Sequence, residues 1–76
     1  MQKGEYDRLM ATRPGIGVTA RTAQNETVYY FYEDFPGDPG IDRALDQMYR
    51  AKDRGTIRSV EFHDNHKLLQ LKGDRQ

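Results

Sequence analysis

The sequence predicts an α+β domain: a two-layer ββαββ fold in which one helix packs on one face of an antiparallel sheet. Three observations lead there. Residues 16–32 hold two runs of strand formers on either side of a polar gap. Residues 41–51 carry an apolar stripe at helical spacing, between a Pro/Gly breaker and a glycine. A second pair of strand-like runs follows at 57–62 and 67–71. One helix stripe covers one sheet face, so the other face is expected to meet solvent.

The N-terminal segment, 1–13, reads as an arm or a short helix. Tyr6, Leu9 and Met10 stand at helical spacing, and Arg13-Pro14-Gly15 ends the segment, because proline disfavours helix in the residue before it. Residues 14–72 form the single domain, and 73–76 read as a flexible tail. In the first strand Ile16, Val18 and Ala20 alternate with Gly17, Thr19 and Arg21. Thr27 to Tyr32 is the second strand, and the pair reads as a hairpin.

The aromatic residues Tyr29, Tyr30, Phe31, Tyr32 and Phe35 crowd into seven positions, and the hairpin register decides which way each ring points. A loop with an even number of residues, tipped by Gln24 and Asn25, pairs Ala20 with Tyr29 and Val18 with Phe31. Directly opposed residues share a face. Tyr29 and Phe31 would then face the core, with Tyr30, Tyr32 and Arg21 outside. An odd loop reverses the second strand. The even loop is preferred because it buries phenylalanine and leaves the phenol tips in water.

The helix is the clearest element. Asp38 reads as its N-cap and Pro39 as its first residue. Ile41, Ala44, Leu45, Met48 and Ala51 make the buried stripe. Asp46 and Arg50 form a pair four apart worth about 0.3 kcal/mol. Gly55 suits the C-terminal cap. Beyond it, His63-Asp64-Asn65-His66 reads as the turn of a second hairpin.

Composition narrows the functional classes. The chain has 76 residues, one small domain with a thin core. It has no cysteine, hence no disulfide and no thiolate metal site. No apolar run approaches the ~20 residues of a membrane helix, and the N-terminus lacks the apolar segment of a signal peptide. A soluble, cytoplasmic protein is expected. Twelve basic and twelve acidic residues cancel. A binder that tracks many phosphates is usually basic, and a mimic of DNA strongly acidic.

The candidate chemistry is sparse. His63, Asp64 and His66 suggest a metal site, but a structural zinc site wants four ligands, and ordinary turn chemistry is the stronger reading. Asp34, Asp38, Asp42 and Asp46 offer carboxylates but no evident cleft to shift their pKa values. Ser59 is the only serine and has no adjacent histidine. The Gly15 and Pro36–Gly40 loops lack a phosphate-binding signature. No catalytic residue, metal or cofactor is expected. The tyrosines are the better signal. On an open sheet face they serve as stacking platforms for single-stranded nucleic acid, with Arg58 or Lys67 reaching the phosphates. They equally anchor a protein partner. The alternative is packing, with the N-terminal segment folded over the rings.

Along DPGIDRALDQMYRAKDRG and on through VEFHDNHKLLQL, about half the chain, the sequence resembles small phage-encoded anti-CRISPR proteins. The resemblance lies in a capped helix with an Ala…Met stripe and a following hairpin. It implies a stoichiometric inhibitor that acts by occlusion on a bacterial CRISPR effector complex, in the cytoplasm of the host cell. It carries over no catalytic residue. The expected function is therefore a non-enzymatic interaction protein, a monomer or a homodimer. Its partner-binding residues are Tyr30, Tyr32 and Arg21 on the open sheet, with Arg43 and Arg50 on the polar helix face as secondary candidates. A host protein complex is favoured as partner over nucleic acid, and no membrane is involved.

Overall fold

A computed structural model describes residues 1–65. Helix α1 (Lys3–Thr12) leads into strand β1 (Gly15–Thr22), then β2 (Thr27–Glu33), helix α2 (Gly40–Asp53) and strand β3 (Ile57–Asn65). The expected strand at 67–71, His66 and the tail at 73–76 lie outside the described residues.

The α+β class is as the sequence predicts. The layers differ. Among the described residues, β1 is the central strand of a three-stranded antiparallel sheet in the order β2-β1-β3. Both neighbours run against β1, so β2 and β3 point the same way and α2 carries the chain across β1 from one to the other. Neighbouring residues of β1 point to opposite faces. Ile16 and Val18 pack with Ala44 and Met48 of α2. Gly17 lies beneath Tyr6 and Met10 of α1. The helices therefore sandwich the sheet, and the expected open face is covered by α1 in its middle. The central position buries β1 on both sides: Gly15, Ile16, Gly17, Val18 and Ala20 are all buried.

Two devices seat α1. Gly17 is one: a Cβ there would collide with the Tyr6 hydroxyl and the Met10 sulfur. Above it the Tyr6 ring meets Tyr29 in a tilted pair, ring centroids 5.1 Å apart. Asn65 is the other. It is buried, and its Nδ2 donates to the Met10 carbonyl and, at 3.0 Å, to the Arg13 carbonyl. These carbonyls end α1 with no intrahelical partner, and the amide supplies one. Residues 63–65 are thus strand and clamp, where the sequence predicts a turn.

α2 closes as expected and opens differently. At its C-terminus Thr56 N–H donates to the Ala51 carbonyl and Gly55 N–H to the Lys52 carbonyl, both at 3.0 Å. With Gly55 at φ 77° this is a Schellman motif, which only glycine adopts at little cost. At its N-terminus the cap is Asp34, not Asp38. Asp34 Oδ1 accepts from Gly40 N–H at 2.7 Å. The bonds Phe35 N–H to Asp38 carbonyl (3.0 Å) and Asp38 N–H to Phe35 carbonyl (2.9 Å) close a tight turn over Pro36-Gly37. This turn folds the chain back so that a residue six positions earlier reaches the helix end.

Candidate functional site

The site follows from the loop between β1 and β2. Thr22 N–H donates to the Glu26 carbonyl at 2.8 Å and Asn25 N–H to the Thr22 carbonyl at 2.9 Å. Three residues, Ala23 to Asn25, make the loop, and Asn25 stands at φ 68°. A type I turn completed by one left-handed residue is the usual three-residue hairpin loop, and asparagine tolerates that conformation. The loop is odd. The observed pairs are Ile16 with Tyr32, Val18 with Tyr30 and Ala20 with Val28.

This corrects the expected register by one residue and turns every β2 side chain over. Tyr30 and Tyr32 pack toward α2, against the cluster of Ile16, Val18, Ala44 and Met48. Tyr29 and Phe31 take the face of α1. Pairing Tyr30 and Tyr32 with the deeply buried β1 residues gives the small core two of the four aromatic side chains on that strand. Both tyrosines stay half-buried, because β2 is an outer strand of the described sheet and the phenol ends reach its margin.

There they border a groove of about 350 Å³ between β2 and α2. Tyr30 and Tyr32 form one wall; Met48, Ala51 and Ile57 contribute apolar floor; Gln47 and Arg54 stand on the α2 side. Arg54 forms no ion pair among the described residues. Burial raises the Tyr32 phenol above its ordinary pKa, and Tyr30 adds to the shift while Arg43 opposes it. The phenol therefore remains a neutral hydrogen-bond donor at physiological pH. An apolar floor beneath two phenol hydroxyls, the side-chain amides of Gln24 and Gln47 and one guanidinium suits an apolar side chain with a polar end.

The other expected partner-binding residues go elsewhere. Arg21 lies on the opposite sheet face, so it shares no surface with Tyr30 and Tyr32. Arg43 is a strap: Nη2 donates to the Glu33 carbonyl, Nε to Asp38 Oδ1 at 3.2 Å, and the guanidinium lies 5.3 Å from the Phe35 ring centre. It ties α2 to the end of β2. Arg50 is exposed and pairs with Asp46 at 3.3 Å. Gln47 and Arg54, which the sequence reading passed over, take the place beside the tyrosines. The signal for them was their position, Gln47 on α2 and Arg54 just past its end, flanking Met48 and Ala51, usable only once β2 is turned the right way.

His63 is exposed on β3, 3.9 Å from Glu61, and no group of three or more metal-ligating side chains gathers among the described residues. No described helix is long and apolar enough to cross a membrane. No protein-family model matches the chain, and no curated protein or solved structure matches it.

Proposed function

We propose that the chain is a small non-catalytic protein-binding module whose anchor site is the groove between β2 and α2. The observation that carries this reading is the groove's make-up: two half-buried tyrosines beside Met48, Ala51 and Ile57, edged by Gln47 and Arg54. Tyrosine and arginine around an apolar pocket are the residue types that dominate binding energy in protein interfaces. A volume of about 350 Å³ accepts one or two partner side chains. The zero net charge also favours a protein partner over a phosphate backbone.

The register weighs against the nucleic-acid reading. Tyr30 and Tyr32 back onto the helix-covered core and do not form an open stacking platform. Pairing of two open sheet faces in a homodimer is left with a smaller surface, since α1 lies over β2 and β1 on the second face. The likeness to phage-encoded anti-CRISPR proteins names the partner to try first, a bacterial CRISPR effector complex blocked by occlusion in the host cytoplasm. Of the features behind that likeness, α2 with its stripe is present, and the second strand of the following hairpin lies outside the described residues.

The test is capture from nuclease-treated bacterial lysate and from purified CRISPR effector complexes, using the wild-type chain and the variants Gln47→Ala and Arg54→Ala. Both side chains are exposed, so both variants should fold. A bound protein that survives nuclease and high salt, and weakens about tenfold or more in either variant, supports the reading. Binding that neither variant changes rules the groove out. Binding that nuclease abolishes replaces the protein partner with nucleic acid.

A further inference from the structure

On the sheet face opposite the groove, a β-bulge brings two arginines together. The β1–β3 register runs regularly to Arg21 with Ser59 and then shifts, so that Thr22 meets Ile57. Arg58 is the extra residue. Ile57 and Ser59 are two apart and would share a face in a regular strand. Here Ile57 packs with Ala20 and Ala51 on the α2 side, while Ser59 stands across from Arg21 on the other. A bulge re-aims side chains in this way, and it is a specific feature of a strand.

The result is a concave site of about 330 Å³ lined by Arg21, Asn25, Arg58 and Ser59. Every lining residue is polar and none is acidic. The Arg21 guanidinium is held in place: its Nη1 donates to the Asn25 carbonyl at 3.2 Å and to Asn25 Oδ1 at 3.4 Å. The left-handed Asn25 of the hairpin loop aims that carbonyl. A guanidinium has five N–H donors, so most of those on Arg21 remain for a ligand. The acids nearest in the chain and sheet are Glu26, just after the loop, and Glu61 on β3. Neither lies within ion-pair distance of either guanidinium, and among the described residues Arg21 and Arg58 have no carboxylate partner.

We infer that this bulge site binds a single phosphate group, as free phosphate or as a phosphate monoester. Two guanidinium forks, a hydroxyl and an amide supply donors on several sides of one small oxyanion, and arginine matches phosphate geometry in a bidentate fashion. The site is compact and the chain has no net charge. Those facts favour one phosphate held locally over a nucleic-acid backbone followed along a surface. The site and the tyrosine groove lie on opposite faces, so each stands or falls without the other.

The test is a titration of the ¹⁵N-labelled full chain with inorganic phosphate and, separately, with a phosphoserine-containing peptide. Ionic strength is held constant, and chloride serves as the reference. Saturable shifts at the Arg21, Asn25, Arg58 and Ser59 amides are expected. Arg58→Gln should weaken binding by about tenfold or more, since a hydrogen bond to a charged group is lost. Arg50→Gln, which removes the same charge from α2, should leave binding unchanged. Dispersed spectra establish that each variant folds, and Arg21→Gln carries the same expectation if Arg58→Gln does not. Saturation by either ligand supports the site, and the tighter one identifies the source of the phosphate. Unsaturable drift matched by chloride overturns it, as does binding indifferent to both substitutions. Equal or tighter binding of a single strand of DNA that lacks a terminal phosphate monoester, falling steeply with salt, also overturns it.

Discussion

Helix α2 brings its own apolar face to the sheet, whereas α1 depends on what the sheet offers it. α2 buries Ala44, Met48 and Ala51 at regular helical spacing and is closed at both ends, by Asp34 and by the Gly55 motif. α1 buries only Tyr6, and its N-cap residue makes no side-chain capping bond. It is held by a glycine in the strand beneath, by one aromatic contact, by an amide from the far end of β3, and at its two ends by exposed polar ties to β2, from the Met1 ammonium to the Tyr29 carbonyl at 3.1 Å and from Arg13 to Glu33 at 3.0 Å. A helix with a continuous stripe is specified locally. A helix with one buried ring is specified by distant residues, and its attachment is correspondingly easier to break.

Substitutions should separate the two modes. The largest effect is expected from Met48→Ala, which empties the centre of the α2 core. It should cost about 2–5 kcal/mol and lower the whole urea transition, because among the described residues α2 is the sheet's support on that side. Asn65→Ala leaves the Met10 and Arg13 carbonyls without their donor and should cost about 1–3 kcal/mol. Gly17→Val overpacks the seat of α1 at a similar cost, about 1–3 kcal/mol. These two should act locally. Hydrogen exchange should speed up across residues 3–12 while α2 stays protected; equal loss of protection in both helices would show that α1 is an integral part of the core.

The smallest effect at neutral pH belongs to Tyr32→Phe, and it sharpens the comparison from the other side. Burial raises the Tyr32 pKa, so the folded chain keeps this proton longer than the unfolded chain. The associated stability is complete below the unfolded value of about 10 and is lost as pH rises through the folded value. The wild type should therefore weaken in urea above about pH 10, and Tyr32→Phe should remove part of that loss. An unchanged alkaline slope would place the phenol in water and the groove wall elsewhere.

The same contrast explains what the sequence made legible. α2 was readable because its stripe repeats over three turns and its breakers stand at both ends. Its cap was misplaced because the tight Phe35–Asp38 turn lets Asp34 reach the helix from six residues away. The strands β1 and β2 were readable from alternation, but their register hangs on one residue of loop length. Asn25, a residue that tolerates positive φ, was the available sign of an odd loop. That single residue moved Tyr30 and Tyr32 from the expected outer face to the groove. The run His63-Asp64-Asn65 has turn composition, yet Asn65 serves as a buried donor to carbonyls more than fifty positions earlier. Local composition holds no trace of such a partner, nor of the bulge that turns Arg58 toward Arg21.

The orientation of β2 underlies both the groove and the function proposed for it, and nuclear Overhauser contacts from the β2 rings measure it directly. In that orientation contacts are expected from the Tyr30 and Tyr32 rings to the methyl groups of Ala44 or Met48, and from Tyr29 to Tyr6. Contacts from Tyr29 or Phe31 to Ala44 and Met48 would contradict it, returning the two tyrosines to the opposite face and leaving the groove without its wall.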